Sequence, residues 1–123
     1  MTRSREEYEI QVALVGHILL RAAPGLVWTA TANGELRDPA VGAKLKRMGA
    51  KAGVPDLIFV RRERDSRGVS SCAYAIEFKS EKGRATPAQL DFFKEWNAAL
   101  GQWREVRSVD EFIAAMQDWG IVR

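Results

Sequence analysis

Apolar residues recur along the chain first at a helical and then at a strand period, and the changes of period delimit its elements. Ile10, Leu14 and Ile18 are spaced four apart, which predicts a helix from about Arg5 to Arg21. Glu7 and Gln11 share a face with Leu14, Val15 and Ile18, and Ala23-Pro24-Gly25 ends the helix. "LVWTATA", from Leu26, is rich in β-formers and reads as a strand that Asn33-Gly34 stops. The stretch from Glu35 to Gly53 has no regular pattern, although Asp38 and Pro39 suit the cap and first position of a short helix. Asp56 to Arg62 reads as a buried strand, "RRERDSRG" as a polar turn and "CAYAIEFK" as a second strand. "TPAQ" places Thr86 at a helix cap, Pro87 at the first position and Gln89 at the third, a capping box. Leu90, Phe93, Trp96, Asn97 and Leu100 form the stripe of that helix, and Gly101 ends it. "WREVR" reads as a short strand; "SVDE" is a second capping box, opening a last helix whose stripe is Phe112, Ile113 and Met116. The order α-β-β-β-α-β-α predicts an α/β layer fold with a mixed central sheet flanked by helices.

Within the second strand the alternation carries more than secondary structure. Tyr74, Ile76 and Phe78 point one way, while Ala73, Ala75, Glu77 and Lys79 point the other. One face is large and apolar; the opposite face is small and then charged. Charged side chains are almost never fully buried unless they are paired or bind a metal. Either that face is wet, or Glu77 and Lys79 meet a partner such as Asp56 at a site.

Composition narrows the class. A chain of 123 residues with 46% hydrophobic and 28% charged residues is ordinary for one globular domain, here taken as 1–123. Nineteen Lys plus Arg against 16 Asp plus Glu give a net charge of +3, which permits nucleic-acid binding without demanding it. One cysteine, Cys72, and one histidine, His17, exclude an internal disulfide and a zinc cluster, and fit a reducing, cytoplasmic setting. The charged N-terminus lacks a signal-peptide core, and no run approaches the roughly 18 apolar residues of a membrane span. The cations do cluster. Arg37, Lys44, Lys46, Arg47 and Lys51 occupy a glycine-containing stretch with no acid between Asp38 and Asp56, which suits a phosphate contact; Lys82 and Arg84 extend the same chemistry.

If the strands of Asp56 and Glu77 are neighbours, their carboxylates converge. Hard divalent cations such as Mg²⁺ prefer carboxylate oxygens. A lysine on the same face as Glu77 can touch an attacking water or the charge that develops on phosphorus. Asp, then after a gap Glu-x-Lys in a strand, resembles the PD-(D/E)XK nuclease superfamily. Its flanks, "GVPDLIFV", "EFKSEKGRATPAQ" and a leading "EEYEIQ", are similar to the VRR-NUC family of small nucleases from about Glu6 to Val106.

The resemblance implies a restriction-endonuclease-like core and a DNA endonuclease dependent on Mg²⁺ or Mn²⁺, with no other small-molecule cofactor. It implies that Asp56 and Glu77 are metal ligands, with the backbone carbonyl of Phe78 as a third, and that Lys79 is the catalytic lysine. Gln89 matches the glutamine of the following helix, and Glu7, beside Glu6 and Glu9, best matches the helix-one acid. Stand-alone members, of phages and bacteria, are similar in fold to Holliday-junction resolvases. Branched DNA and a homodimer are therefore expected, because two cuts need two sites. The last helix or an edge strand is the candidate interface.

Each residue also has a bland reading. Glu77 and Lys79 can be a solvated strand face with a weak ion pair. Asp56 can cap a turn, Gln89 can merely close its capping box, Glu7 can be a surface residue, and the lysine-rich stretch can be a solvated face. The alternative function is a nucleic-acid-binding module with a nuclease fold and no turnover.

Overall fold

The alternation between Ala73 and Phe78 becomes a division between two layers. The computed structural model describes residues 5–31 and 39–122, apart from the side chains of Glu6 and Asp65. It holds α1 (Arg5–Arg21), β1 (Leu26–Ala30), α2 (Pro39–Arg47), β2 (Leu57–Asp65), β3 (Gly68–Phe78), α3 (Pro87–Ala98), β4 (Gln102–Val106) and α4 (Val109–Trp119). The short helix at Pro39 is thus present as α2, interposed in the expected order. Its Asp38 cap, the Asn33-Gly34 stop and Arg37 lie outside the described residues.

The sheet runs in the order β1-β2-β3-β4. β2 pairs antiparallel with both β1 and β3, and β4 is parallel to β3, so the sheet is mixed. Leu57, Phe59, Tyr74, Ile76 and Phe78 on one face pack with Ile10, Leu14 and Ile18 of α1 and with Phe112, Ala115 and Met116 of α4. Each large side chain fully buried here contributes about 1.5–3 kcal/mol. The apolar stripe of α4 lies inside this core, so the last helix does not offer it as an interface. Exposed apolar side chains stand instead on the outer side of α1, at Tyr8, Val12 and Leu19.

Three expectations are corrected. "RRERDSRG" is mostly strand: β2 runs to Asp65, β3 restarts at Gly68, and only Ser66 and Arg67 separate them. Antiparallel backbone pairing continues through polar residues when their side chains face water. Gly68 has φ +125°, a conformation that L side chains rarely adopt.

The stripe of α3 is also different. Leu90, Phe93, Asn97 and Leu100 are exposed, and the helix rests on β4 through Phe92, Phe93 and Trp96 around Trp103. Leu100, with φ 68°, takes the left-handed position at the helix end. Gly101 is needed for a different reason: a Cβ there would lie 2.3 Å from the Trp96 indole nitrogen. In α4, Ser108 accepts the Glu111 N–H, but the Glu111 carboxylate accepts from the N–H of Arg107, not from that of Ser108. The second capping box is therefore only half formed.

Candidate active site

β2 and β3 register Leu57 opposite Ile76. One step further along, Asp56 stands opposite Glu77, on the face away from the core; the Asp56 N–H donates to the Ile76 carbonyl at 3.0 Å. The Asp56 carboxylate accepts the Phe78 N–H at 2.8 Å, which fixes its orientation across the strand end. Glu77 and Lys79 follow on that same face, and the Lys79 N–H extends the parallel ladder to Val106 at 2.9 Å. The face is not wet at this point. Asp56, Glu77 and Lys79 are 7%, 4% and 6% exposed, which removes the reading of a solvated strand face.

Burial of three charged groups is costly unless each finds partners. The Phe78 N–H serves Asp56, and Gln89 serves the other two. Its Oε1 accepts from Lys79 Nζ at 2.6 Å and from the Thr86 N–H at 2.9 Å, and its Nε2 donates to Glu77 Oε1 at 2.8 Å. Lys79 Nζ is also 3.7 Å from Glu77 Oε1. One amide thus closes the capping box of α3 and joins the two charged residues of β3; both readings of Gln89 hold at once.

The turn before Asp56 is docked to the same helix. Gly53 has φ +82°, and a Cβ on it would lie 2.2 Å from the Ala88 carbonyl oxygen. Only glycine allows the turn to approach the first turn of α3 so closely. Pro55 is fully buried, and its carbonyl accepts from Thr31 Oγ1 at 2.5 Å.

The remaining site candidates fall around this centre. Glu7 is half-buried on α1, one turn before Ile10. Lys44, Lys46 and Arg47 are exposed in the last turn of α2. Lys51 is exposed and pairs with Glu95 of α3 at 3.5 Å, so that cation does have an acid beside it. Lys82 and Arg84 are exposed on the segment that leaves Lys79. Arg107, which no motif marks, holds that segment: its Nη1 donates to the carbonyls of Ser80 and Gly83, both at 2.7 Å.

Asp56, Glu77 and the carbonyl of Phe78 are an oxygen-only donor set, the chemistry that hard divalent cations select. Among the described residues there is no group of three or more His, Cys, Asp or Glu that could hold a metal. Two carboxylates completed by a carbonyl and water fit Mg²⁺, which keeps several waters, better than an all-protein cage. On the opposite face, burial first, then hydrogen bonds with Cys72 and Glu63, push the Tyr74 hydroxyl far above its ordinary pKa. Its hydroxyl donates to Glu63 Oε1 at 2.9 Å.

No helix of the described residues is long and apolar enough to cross a membrane. A family model of the VRR-NUC domain matches residues 5–110. A solved structure described as a VRR_NUC domain protein superposes with a TM-score of 0.69 over 96% of this chain and 90% of its own, at 22% identity. At that identity the likeness speaks for the fold, a PD-(D/E)XK-like one. No curated protein sequence matches the chain.

Proposed function

The chain belongs to the VRR-NUC family, a family of nuclease-fold domains, and from that premise we propose that it is a metal-dependent DNA endonuclease, selective for branched DNA such as Holliday junctions. The observation that carries the reading is the buried trio of Asp56, Glu77 and Lys79, with one Gln89 amide joining Glu77 to Lys79 and the Phe78 N–H holding the Asp56 carboxylate beside them. A structural role alone gives no reason to bury three charges at the end of two strands.

Asp56 and Glu77, with the Phe78 carbonyl, would hold Mg²⁺ or Mn²⁺. When bound, such an ion acidifies a water and offsets negative charge on the phosphoryl oxygens. Lys79 orients the attacking water and faces the charge that develops at phosphorus. Gln89 keeps Lys79 Nζ in place and donates to Oε1 of Glu77. Glu7 contributes from α1 as a further acid. Lys44, Lys46, Arg47, Lys51, Lys82 and Arg84 supply phosphate contacts around the site. A homodimer would provide two cuts on one junction, and the same reading sets the enzyme inside the cell.

The test is cleavage of labelled four-way junction, flap, duplex and single-stranded DNA with Mg²⁺, Mn²⁺ or EDTA. Metal-dependent cutting, lost by orders of magnitude in Glu77→Ala and Lys79→Ala while binding persists, is the expected outcome. Undiminished cleavage by Lys79→Ala sinks the assignment.

A further inference from the structure

The β2–β3 hairpin is longer than the sheet that it belongs to. β1 pairs with β2 only from Leu57 to Arg61, and β4 pairs with β3 only from Tyr74 to Phe78. Beyond them Arg62, Glu63 and Arg64 pair with Ser71, Ser70 and Val69 alone. The hairpin therefore leaves the sheet as a free two-stranded ribbon.

The pleat sorts its charges by face. Register puts Arg61 and Glu63 on the core face with Phe59 and Tyr74, and both are engaged there. Arg61 donates to the Gly120 carbonyl at the end of α4, and Glu63 accepts from Tyr74. Arg62 and Arg64 lie on the other face, in one line with Asp56, Ile58 and Val60. They are exposed, and the residues opposite them are Ser71 and Val69, with no acid. Neither makes an ion pair among the described residues. Between them and Asp56, β2 and β3 carry on the same face Val60, Ile58, Ala73 and Ala75, apolar residues without charge. Val60 and, beside it on β1, Val27 are exposed, so the strip is open on its β1 side, while Ala75, next to Trp103 under α3, is buried.

At about 3.3 Å per strand residue, Arg62 is about 20 Å and Arg64 about 26 Å from Asp56. That reach equals about six to eight base pairs at 3.4 Å each. A two-stranded ribbon also fits the major groove of a duplex. We propose that the β2–β3 ribbon is a second nucleic-acid contact, in which Arg62 and Arg64 grip phosphates of the duplex arm leading away from the cleavage site. The inference rests on the nuclease reading and adds to it a minimum arm length.

Arg62→Ala with Arg64→Ala tests it, with binding measured over a salt series on substrates whose arms are about four or about twelve base pairs. On long arms the slope of log K against log salt is expected to fall by about 1 per arginine. On short arms the variant and the unaltered protein bind alike. Lys at both positions restores the long-arm slope, because a phosphate contact needs charge and not a guanidinium. An unaltered slope and affinity on long arms overturns the ribbon contact, while cleavage by both proteins leaves the nuclease reading standing. Failure of the unaltered protein to bind any DNA overturns both.

Discussion

The Gln89 amide sits 2.6 Å from Lys79 and 2.8 Å from Glu77 while its oxygen also receives the Thr86 N–H. Two substitutions separate those duties. Gln89→Glu retains an oxygen acceptor for Thr86 and Lys79 but turns a second carboxylate toward Glu77. Gln89→Ala removes the cap contact and the tether together. Loss of a cap interaction costs about 1 kcal/mol, so Gln89→Ala is expected to lower the melting temperature modestly and kcat strongly, with DNA affinity little changed. Gln89→Glu is expected to lower kcat as well; equal kcat values for all three proteins would leave Gln89 only its cap role. Tyr74 gives a second residue-scale outcome. Its folded pKa is raised above the unfolded value of about 10. Its contribution to stability is therefore complete below about pH 10 and is lost as the pH climbs toward the folded value. In urea unfolding, the stability difference between the unaltered protein and Tyr74→Phe should stay constant to about pH 10 and shrink above it. A difference that stays flat through pH 11 would contradict the burial of that hydroxyl.

Among the elements, the Gly53-Val54-Pro55 turn matters most, because it brings β2 against the start of α3. Gly53→Ala adds a Cβ at φ +82° and 2.2 Å from a backbone oxygen that has little room to retreat. Strain of about 1–3 kcal/mol is expected, and moving α3 also moves Gln89, so cleavage should fall further than stability. Urea unfolding beside single-turnover cleavage measures both. Much of this frame was legible in the residues. Ile10, Leu14 and Ile18 gave α1, and Thr86-Pro87-Ala88-Gln89 gave the start of α3, since those signals are local. What the sequence hid depends on tertiary contact. Hydrophilic side chains do not stop backbone pairing, so the strands inside "RRERDSRG" looked like a turn. Helix α3 carries two apolar lines, and its periodicity alone does not say that Phe92 and Phe93 meet Trp103 while Leu90 stays out. Arg107 reaches the Ser80 and Gly83 carbonyls across chain segments with no motif to announce it. The approach of Asp56 to Glu77 was legible only as a condition, that their strands be neighbours, and the register of β2 on β3 meets it.

At the scale of the whole molecule, one chain offers one site, whereas resolving a four-way junction takes a cut in each of two strands. Two-fold pairing of identical chains is the simplest way to present two such sites. The face for that pairing has to be apolar and unused. Phe112, Ala115 and Met116 of α4 are spent inside the core. On α1, by contrast, Tyr8, Val12 and Leu19 remain exposed and join half-buried Val15 in a stripe spaced four, three and four residues, opposite the buried line of Ile10, Leu14 and Ile18. That spacing is the seam by which two helices pack side by side. Under the proposed function, sedimentation at micromolar concentration should give a species of twice 13.8 kDa. Val12→Glu with Leu19→Glu should return it to the monomer, because two apposed copies would bury four carboxylates without partners. The monomeric variant should still nick duplex or flap DNA, since Asp56, Glu77 and Lys79 come from one chain, but should lose paired cuts on a junction. A monomeric unaltered protein would remove the junction reading and leave the phosphodiester chemistry of each site in place. A dimer that survives both charges would move the contact to the exposed edge of β1, where Val27 also faces solvent.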